Sequence, residues 1–152
     1  MALKVELKPG ERIIVGESVI TNQQQRTRLL IDGNAPILRE KDIMTPERAD
    51  SPAKRIYLAV QLMYTSPDPR PQHEIYFTLI GDIVKAAPSV WPYIEIINNL
   101  ILTGQMYKAL KEAKKLIVYE GELLDDAKRS DGLRQGSEPG REPPRAGSNP
   151  AA

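Results

Sequence analysis

Arg26, Arg28, Arg39 and Lys41 are the residues of this chain whose type and spacing suit a chemical task. An arginine fork pairs bidentately with a phosphate or a base edge, whereas a lysine acts as a point charge. Arg26 and Arg28 share one face of the alternating segment Arg26 to Asp32, and Arg39 and Lys41 close the next short segment. Together they suit contact with an RNA backbone. The competing expectation is an ordinary solvated strand face with Glu40 and Asp42 as ion-pair partners, an arrangement of little energetic consequence. Further along, Lys108, Lys111 and Lys115 recur at spacings of three and four, which aligns them on one side of a helix. That row is either a solvated face, an extension of the basic surface, or a patch that meets an acidic protein.

Catalytic groups are scarce. His73 is the single histidine and follows a Pro-rich linker, so it is expected to be solvated in a first helical turn. Cysteine is absent, which removes disulfides, thiolate catalysis and cysteine-based zinc sites together. With no second histidine, no metal constellation can be built around His73. Glu11, Glu17 and Asp32 suit exposed strand or turn positions better than a general acid/base pair. Phosphate-loop and nucleophile-elbow motifs are missing. The expectation is a protein that is not an enzyme and carries no cofactor or metal.

The elements that must position the basic residues are short. Leu3 to Lys8 alternates apolar and polar residues as a strand with one buried face requires, which sends Leu3, Val5 and Leu7 toward a core. Pro9-Gly10 breaks it, Arg12 to Val15 forms a second strand, Gly16 allows a bulge or tight bend, and Ser18 to Thr21 continues it. After the polar loop Asn22 to Gln25, the alternation resumes with Thr27, Leu29 and Ile31 on one side and Arg26, Arg28 and Leu30 on the other. Gly33-Asn34 favours a hairpin into Ala35 to Arg39, since both residues tolerate positive φ.

Beyond Met44 the punctuation changes to proline preceded by a small hydroxyl residue, a helix-start pattern because proline at the first helical position forfeits no hydrogen bond. Thr45-Pro46 and Ser51-Pro52 are each expected to open a helix. The second runs to about Thr65 with Ile56, Ala59/Val60 and Met63/Tyr64 as its buried stripe. Ser66 to Pro71 interrupts regular structure. A third helix is expected from about Gln72 to Ala87, a fourth from an N-cap at Ser89 to Gly104 with Trp91 and Tyr93 in or near the core, and a fifth from about Gln105 to Leu124. From Asp125 onward Arg, Gly, Pro and Ser dominate, and such a segment buries too little apolar surface to offset the entropy of ordering. The expected class is therefore α+β, with a small antiparallel β module over 1–44, a helical region over 45–124 and a disordered tail over 125–152.

Charge narrows the options further. The 152 residues carry 21 Lys+Arg against 20 Asp+Glu, so no bulk positive field drives non-specific nucleic-acid binding. Any RNA contact must be local. No apolar run approaches the roughly 20 residues of a membrane span and no signal-like segment opens the chain, so a soluble, cytoplasmic protein is expected. At 44 residues the β module is too small for comfortable independent stability, and its exposed edges invite docking on the helices, self-association, or both.

Two resemblances follow from these residues. Gly10-Glu11, Ile14, Gly16, Val19, Leu29, Ile31, Gly33, Asn34-Ala35-Pro36 and Arg39-Glu40 resemble the carbon storage regulator family (CsrA), small β proteins that bind mRNA leaders and dimerise by strand exchange. There the arginine matched by Arg39 contacts a guanine-rich RNA element. The segment between Pro36 and Arg39 is shorter here by about a strand, so the last strand is expected to be truncated or differently paired.

More of the chain, to about residue 124, resembles the FlbT family of flagellum biosynthesis repressors. The resemblance rests on Leu7 to Arg12, Arg26 to Ile31, Ile37 to Pro46, Pro52 to Tyr57 with Gln61 to Tyr64, and Tyr107 to Lys111. It implies post-transcriptional repression of flagellin synthesis, by association with the 5′ leader of flagellin mRNA and promotion of its degradation or a block to translation. The alternative function is a protein-interaction adaptor that binds flagellin, an export component or a FlaF-type regulator and affects the mRNA indirectly. A homodimer fits either.

Overall fold

The computed structural model describes residues 2–136, with side chains described through residue 129. Two compact units divide the chain, Met1–Leu116 and Ile117–Ala152. The first holds five short strands followed by helices, an α+β arrangement.

Alternation in the first strand, β1 (Ala2–Leu7), buries Val5 and Leu7 but leaves Leu3 43% exposed, so Leu3 does not join the core as expected. Its partner is the fourth strand, β4 (Thr27–Asp32), antiparallel with Val5 opposite Leu29. The chain between them forms β2 (Arg12–Val15) and β3 (Ser18–Thr21), joined by the two-residue turn Gly16-Glu17 in which Gly16 takes φ +62°. β5 (Ile37–Arg39) pairs with the other edge of β2, giving the order β3-β2-β5. With three residues, β5 is the short last strand that the sequence suggests.

The Gly33-Asn34 turn makes no hairpin, because β4 and β5 lie in different sheets. Gly33 sits at φ +125° and redirects the chain between them. Val5, Leu7 and Ile13 form the centre of the β module, covered by Val15, Leu29, Ile31 and Ile37.

Thr45-Pro46 opens only a turn, since Ser51-Pro52 follows too soon for a helix to propagate; Arg48 and Ala49 donate back to the Thr45 carbonyl at 3.1 Å. The first helix, α1 (Pro52–Thr65), starts where the Ser51 hydroxyl accepts from the Lys54 N–H at 3.3 Å, an N-cap with Pro52 at the first helical position. α2 (Arg70–Ala86) begins two residues earlier than expected, with Pro71 tolerated in the first turn. His73 falls in that turn, half-exposed.

α3 (Trp91–Leu102) follows a 3-10 turn over Pro88–Val90, so Ser89 lies inside that turn rather than at the N-cap. Trp91 is 48% exposed, not core, whereas Val90, Ile94 and Ile97 are buried. Gly104 at φ +76° closes α3 by donating to Ile101, and Gln105 donates to Leu100, the paired bonds of a Schellman motif.

α4 (Met106–Gly136) contributes Ala109, Leu110, Ala113 and Leu116 to the core of the first unit. It then continues through the second unit, where Val118 and Leu124 are exposed. The helix passes the expected boundary at Asp125. Extending a formed helix costs no new nucleus, so a polar segment without apolar surface still propagates it. The expected tail from 137 to 152 lies outside the described residues. No helix among the described residues is long and apolar enough to cross a membrane.

Candidate nucleic-acid interface

The segment Ile37 to Met44 carries Arg39 and Lys41, and one face of α1 holds it by three side chains at i, i+4 and i+7. The Tyr57 hydroxyl donates to the Asp42 carbonyl. Four residues on, the Gln61 amide accepts from the Met44 N–H at 2.7 Å and donates to the Met44 carbonyl at 3.1 Å. The Tyr64 hydroxyl accepts from the Ile37 N–H at 3.2 Å and donates to the Ile37 carbonyl at 3.3 Å. Gln61 is 5% exposed, so its amide replaces water for a backbone that has no strand partner there.

Burial, reinforced by the charge of Asp42, pushes the Tyr57 phenol far above its ordinary value; burial also raises Tyr64, against the opposing bond from Ile37. Both hydroxyls therefore stay protonated and keep donating.

Beside the segment a groove of about 770 Å³ opens between Lys8, Arg26, Arg39, Lys41 and Arg48, with Glu6, Glu11 and Glu40 among its other walls. A tight turn shapes one wall. Pro9 and Gly10 occupy its centre, the Glu11 N–H closes onto the Lys8 carbonyl at 3.0 Å, and Gly10 takes φ +80°, as a type II turn demands. Asn22 fixes the neighbouring wall: its amide donates to the carbonyls of Leu7, Lys8 and Gln25 at 3.1, 3.0 and 2.7 Å. That bond set places Lys8 beside Arg26.

The carboxylates next to Arg39 and Lys41 in sequence are engaged elsewhere. Glu40 Oε1 accepts from the Arg12 N–H at 3.0 Å and pairs with its guanidinium at 3.4 Å. Asp42 pairs with Lys114 of α4. Arg39 donates to the Glu6 backbone carbonyl at 3.3 Å, which orients the fork without neutralising it. Among the described residues, neither Arg39 nor Lys41 has a carboxylate partner within ion-pair distance. Glu40 and Asp42 thus pair with Arg12 and Lys114 instead of with Arg39 and Lys41, which are solvent-exposed as the competing expectation has them.

Of the four basic residues singled out in the β module, the fold brings three together. Arg26 precedes β4, pairs with Glu6 at 3.2 Å and lines the groove with Arg39 and Lys41. Arg28 is exposed on β4 and faces a separate depression with Lys4 and Leu30.

The lysine row on α4 stays together on one depression. Lys115 pairs with Glu112 at 2.7 Å, Lys108 lies with Lys111 and Lys115 beside Ile96 and Leu100, and Lys111 also belongs to a second groove that Arg39 and Lys41 line. Sequence reasoning missed the clamp of Tyr57, Gln61 and Tyr64, treating Tyr64 as part of an apolar stripe. The available signal was a run of hydrogen-bonding side chains at helical spacing. Among the described residues no group of three or more His, Cys, Asp and Glu side chains is placed to hold a metal ion.

The family model described as "Flagellar protein FlbT" matches residues 3–124. A probable flagellum biosynthesis repressor protein FlbT 1 of Bradyrhizobium diazoefficiens is 70% identical over 124 residues, covering 81% of this chain and 85% of that protein. A probable flagellum biosynthesis repressor protein FlbT of Rhodopseudomonas palustris is 54% identical over 124 residues, 82% of this chain and 98% of its own length. The flagellum biosynthesis repressor protein FlbT of Caulobacter vibrioides is 34% identical over 143 residues, 92% of this chain and all of its own. No solved structure matches.

Proposed function

The chain belongs to the FlbT family of flagellar proteins, and from that premise we propose that it represses flagellum synthesis after transcription, by binding the 5′ leader of flagellin mRNA. Arg39 and Lys41 are the contacts, and Arg26, which Glu6 already engages, lines the same groove. Occupying the leader blocks the ribosome or exposes the message to a nuclease, and the protein itself needs no catalytic group.

The observation that carries this reading is that, among the described residues, Arg39 and Lys41 have no carboxylate partner within ion-pair distance on a segment clamped to α1, although the chain as a whole has a net charge of only +1. A cation spent on a neighbouring carboxylate gives little to a phosphate; these two are not spent. A titration of the purified protein with the leader at several salt concentrations tests it. Affinity is expected to fall steeply with salt, with a log–log slope of about −0.7 for each phosphate contacted on a single strand. Absence of leader binding at low salt would overturn the proposal.

A second reading keeps the adaptor role, with flagellin, an export component or a FlaF-type regulator as partner. What favours it is the exposure of large apolar side chains on the helices, Phe77 at 60% and Leu102 at 80% among them. The same titration separates the two, because an adaptor without an RNA site shows no salt-dependent binding to the leader.

A further inference from the structure

Arg39 and Lys41 line not one groove but two, and the second has a different chemistry. It measures about 530 Å³, and Tyr64, Tyr107, Lys111 and Lys114 stand among its walls. Of its four cations, only Lys114 has a carboxylate partner among the described residues, namely Asp42. The Tyr64 and Tyr107 rings meet at 5.8 Å between centroids with their planes tilted by 43°. Tyr64 is fixed by its two bonds to Ile37, so it braces Tyr107 from one side. Tyr107 is 42% exposed, and the Lys111 ammonium stands 5.0 Å from its ring centroid.

We propose that this second groove is a stacking subsite for one unpaired nucleobase, seated on the ring of Tyr107, with Arg39, Lys41 and Lys111 holding the flanking phosphates. The proposal rests on the RNA-binding reading and extends it.

An aromatic ring braced by a neighbour and otherwise covered only by a displaceable lysine can serve as a sequence-tolerant stacking platform, since every base has a π-face and only the ring must be held still. The cations beside it track the backbone. Lys111 now occupies the ring region through an exposed cation–π contact, a weaker interaction than base stacking. An arriving base displaces the ammonium from the ring and leaves it free for the adjoining phosphate. Because Arg39 and Lys41 face both grooves, a single strand contacting Arg26 and Arg48 in the first continues to Tyr107 in the second. A duplex keeps its bases stacked on each other and cannot present one to the ring.

The test compares a short single-stranded oligoadenylate with an abasic ribose-phosphate oligomer of equal length and charge. Tyr107→Leu is expected to weaken oligoadenylate binding about 5- to 100-fold, the loss of one stacked base, with the salt slope unchanged and binding of the abasic oligomer unaffected. Tyr107→Phe, which keeps the ring, should bind both as the wild type does. In a Trp91→Phe background, Tyr107→Trp supplies a direct readout: its fluorescence should be quenched by oligoadenylate and not by the abasic oligomer. That readout decides the matter even if Tyr107→Leu folds poorly. Wild-type binding together with equal oligoadenylate affinity in Tyr107→Leu, or an unquenched signal from the introduced indole on saturation, would overturn the stacking subsite and leave the RNA reading standing. Failure of the wild type to bind either oligomer or the leader would overturn both.

Discussion

Arg39→Ala combined with Lys41→Ala is expected to weaken binding of the leader between about 10- and 1,000-fold, because a well-placed arginine contact to a base or phosphate contributes about 1–3 kcal/mol and the lysine adds a second phosphate contact. Losing two phosphate contacts should also flatten the salt dependence by about 1.4 in log–log slope, near 0.7 for each contact on single-stranded RNA. Neither side chain supports the core. Arg39 is exposed at the end of β5 and makes one hydrogen bond, to a carbonyl, while Lys41 is exposed in the following turn. Stability should therefore shift by no more than about 0.5 kcal/mol, the usual range for surface substitutions.

Arg28→Ala supplies the control. It removes one positive charge, half of what the double substitution removes, from a strand face that opens on a different depression, so its effect on affinity should be well under half of the double variant's on a logarithmic scale. If Arg28→Ala weakened binding as much as the double substitution, net charge rather than the groove would be responsible.

Gln61→Leu is expected to lower the unfolding free energy by about 2–4 kcal/mol, since it strands the Met44 N–H and carbonyl together and a buried orphaned polar group costs about 1–3 kcal/mol. Leucine is close in volume, so the loss reports the hydrogen bonds and not a cavity. Gln61 is buried, and its two bonds to Met44 are the centre of the clamp between Tyr57 and Tyr64. Tyr64→Phe should cost less, about 1 kcal/mol, because it removes one half-exposed hydroxyl from Ile37. Urea unfolding distinguishes these outcomes by the midpoint at constant slope. An unmoved midpoint in Gln61→Leu would show that the Gln61 bonds to Met44 do not hold the Arg39 segment. Leader affinity should fall in the same variant, although Gln61 touches no RNA, because the segment it clamps carries two of the contacts.

Much of this arrangement is legible in the residues and some of it is not, for identifiable reasons. The apolar alternation of Val5, Leu7, Leu29 and Ile31 marks both strands of the first sheet, and Ser51-Pro52 marks the start of α1 to the residue. Local patterns carry that information. Which strands pair is not local: Gly33-Asn34 has hairpin chemistry, yet β4 is already committed to β1, in the register Leu7 opposite Thr27 through Ala2 opposite Asp32. Thr45-Pro46 carries the same start signal as Ser51-Pro52 but has too little chain before the next proline to complete a helix.

The basic residues are visible in the sequence, but their partners are not. Glu40 and Asp42 are adjacent to Arg39 and Lys41 in sequence and bond instead to Arg12 and Lys114, the latter seventy-two residues away along the chain. Lys114 itself falls outside the row of Lys108, Lys111 and Lys115. The fold gives it the task of neutralising Asp42, and that pairing is what leaves Lys41 and Lys111 available.

Leader RNA carrying photoreactive uridines, crosslinked to the full-length protein and mapped by mass spectrometry of the peptides, tests the central claim most directly. Crosslinks are expected in the peptides that contain Arg39 to Lys41 and Tyr107 to Lys111, and are expected to be lost in the Arg39→Ala, Lys41→Ala double variant. Crosslinks confined to peptides beyond Lys128, or unchanged in that variant, would contradict it.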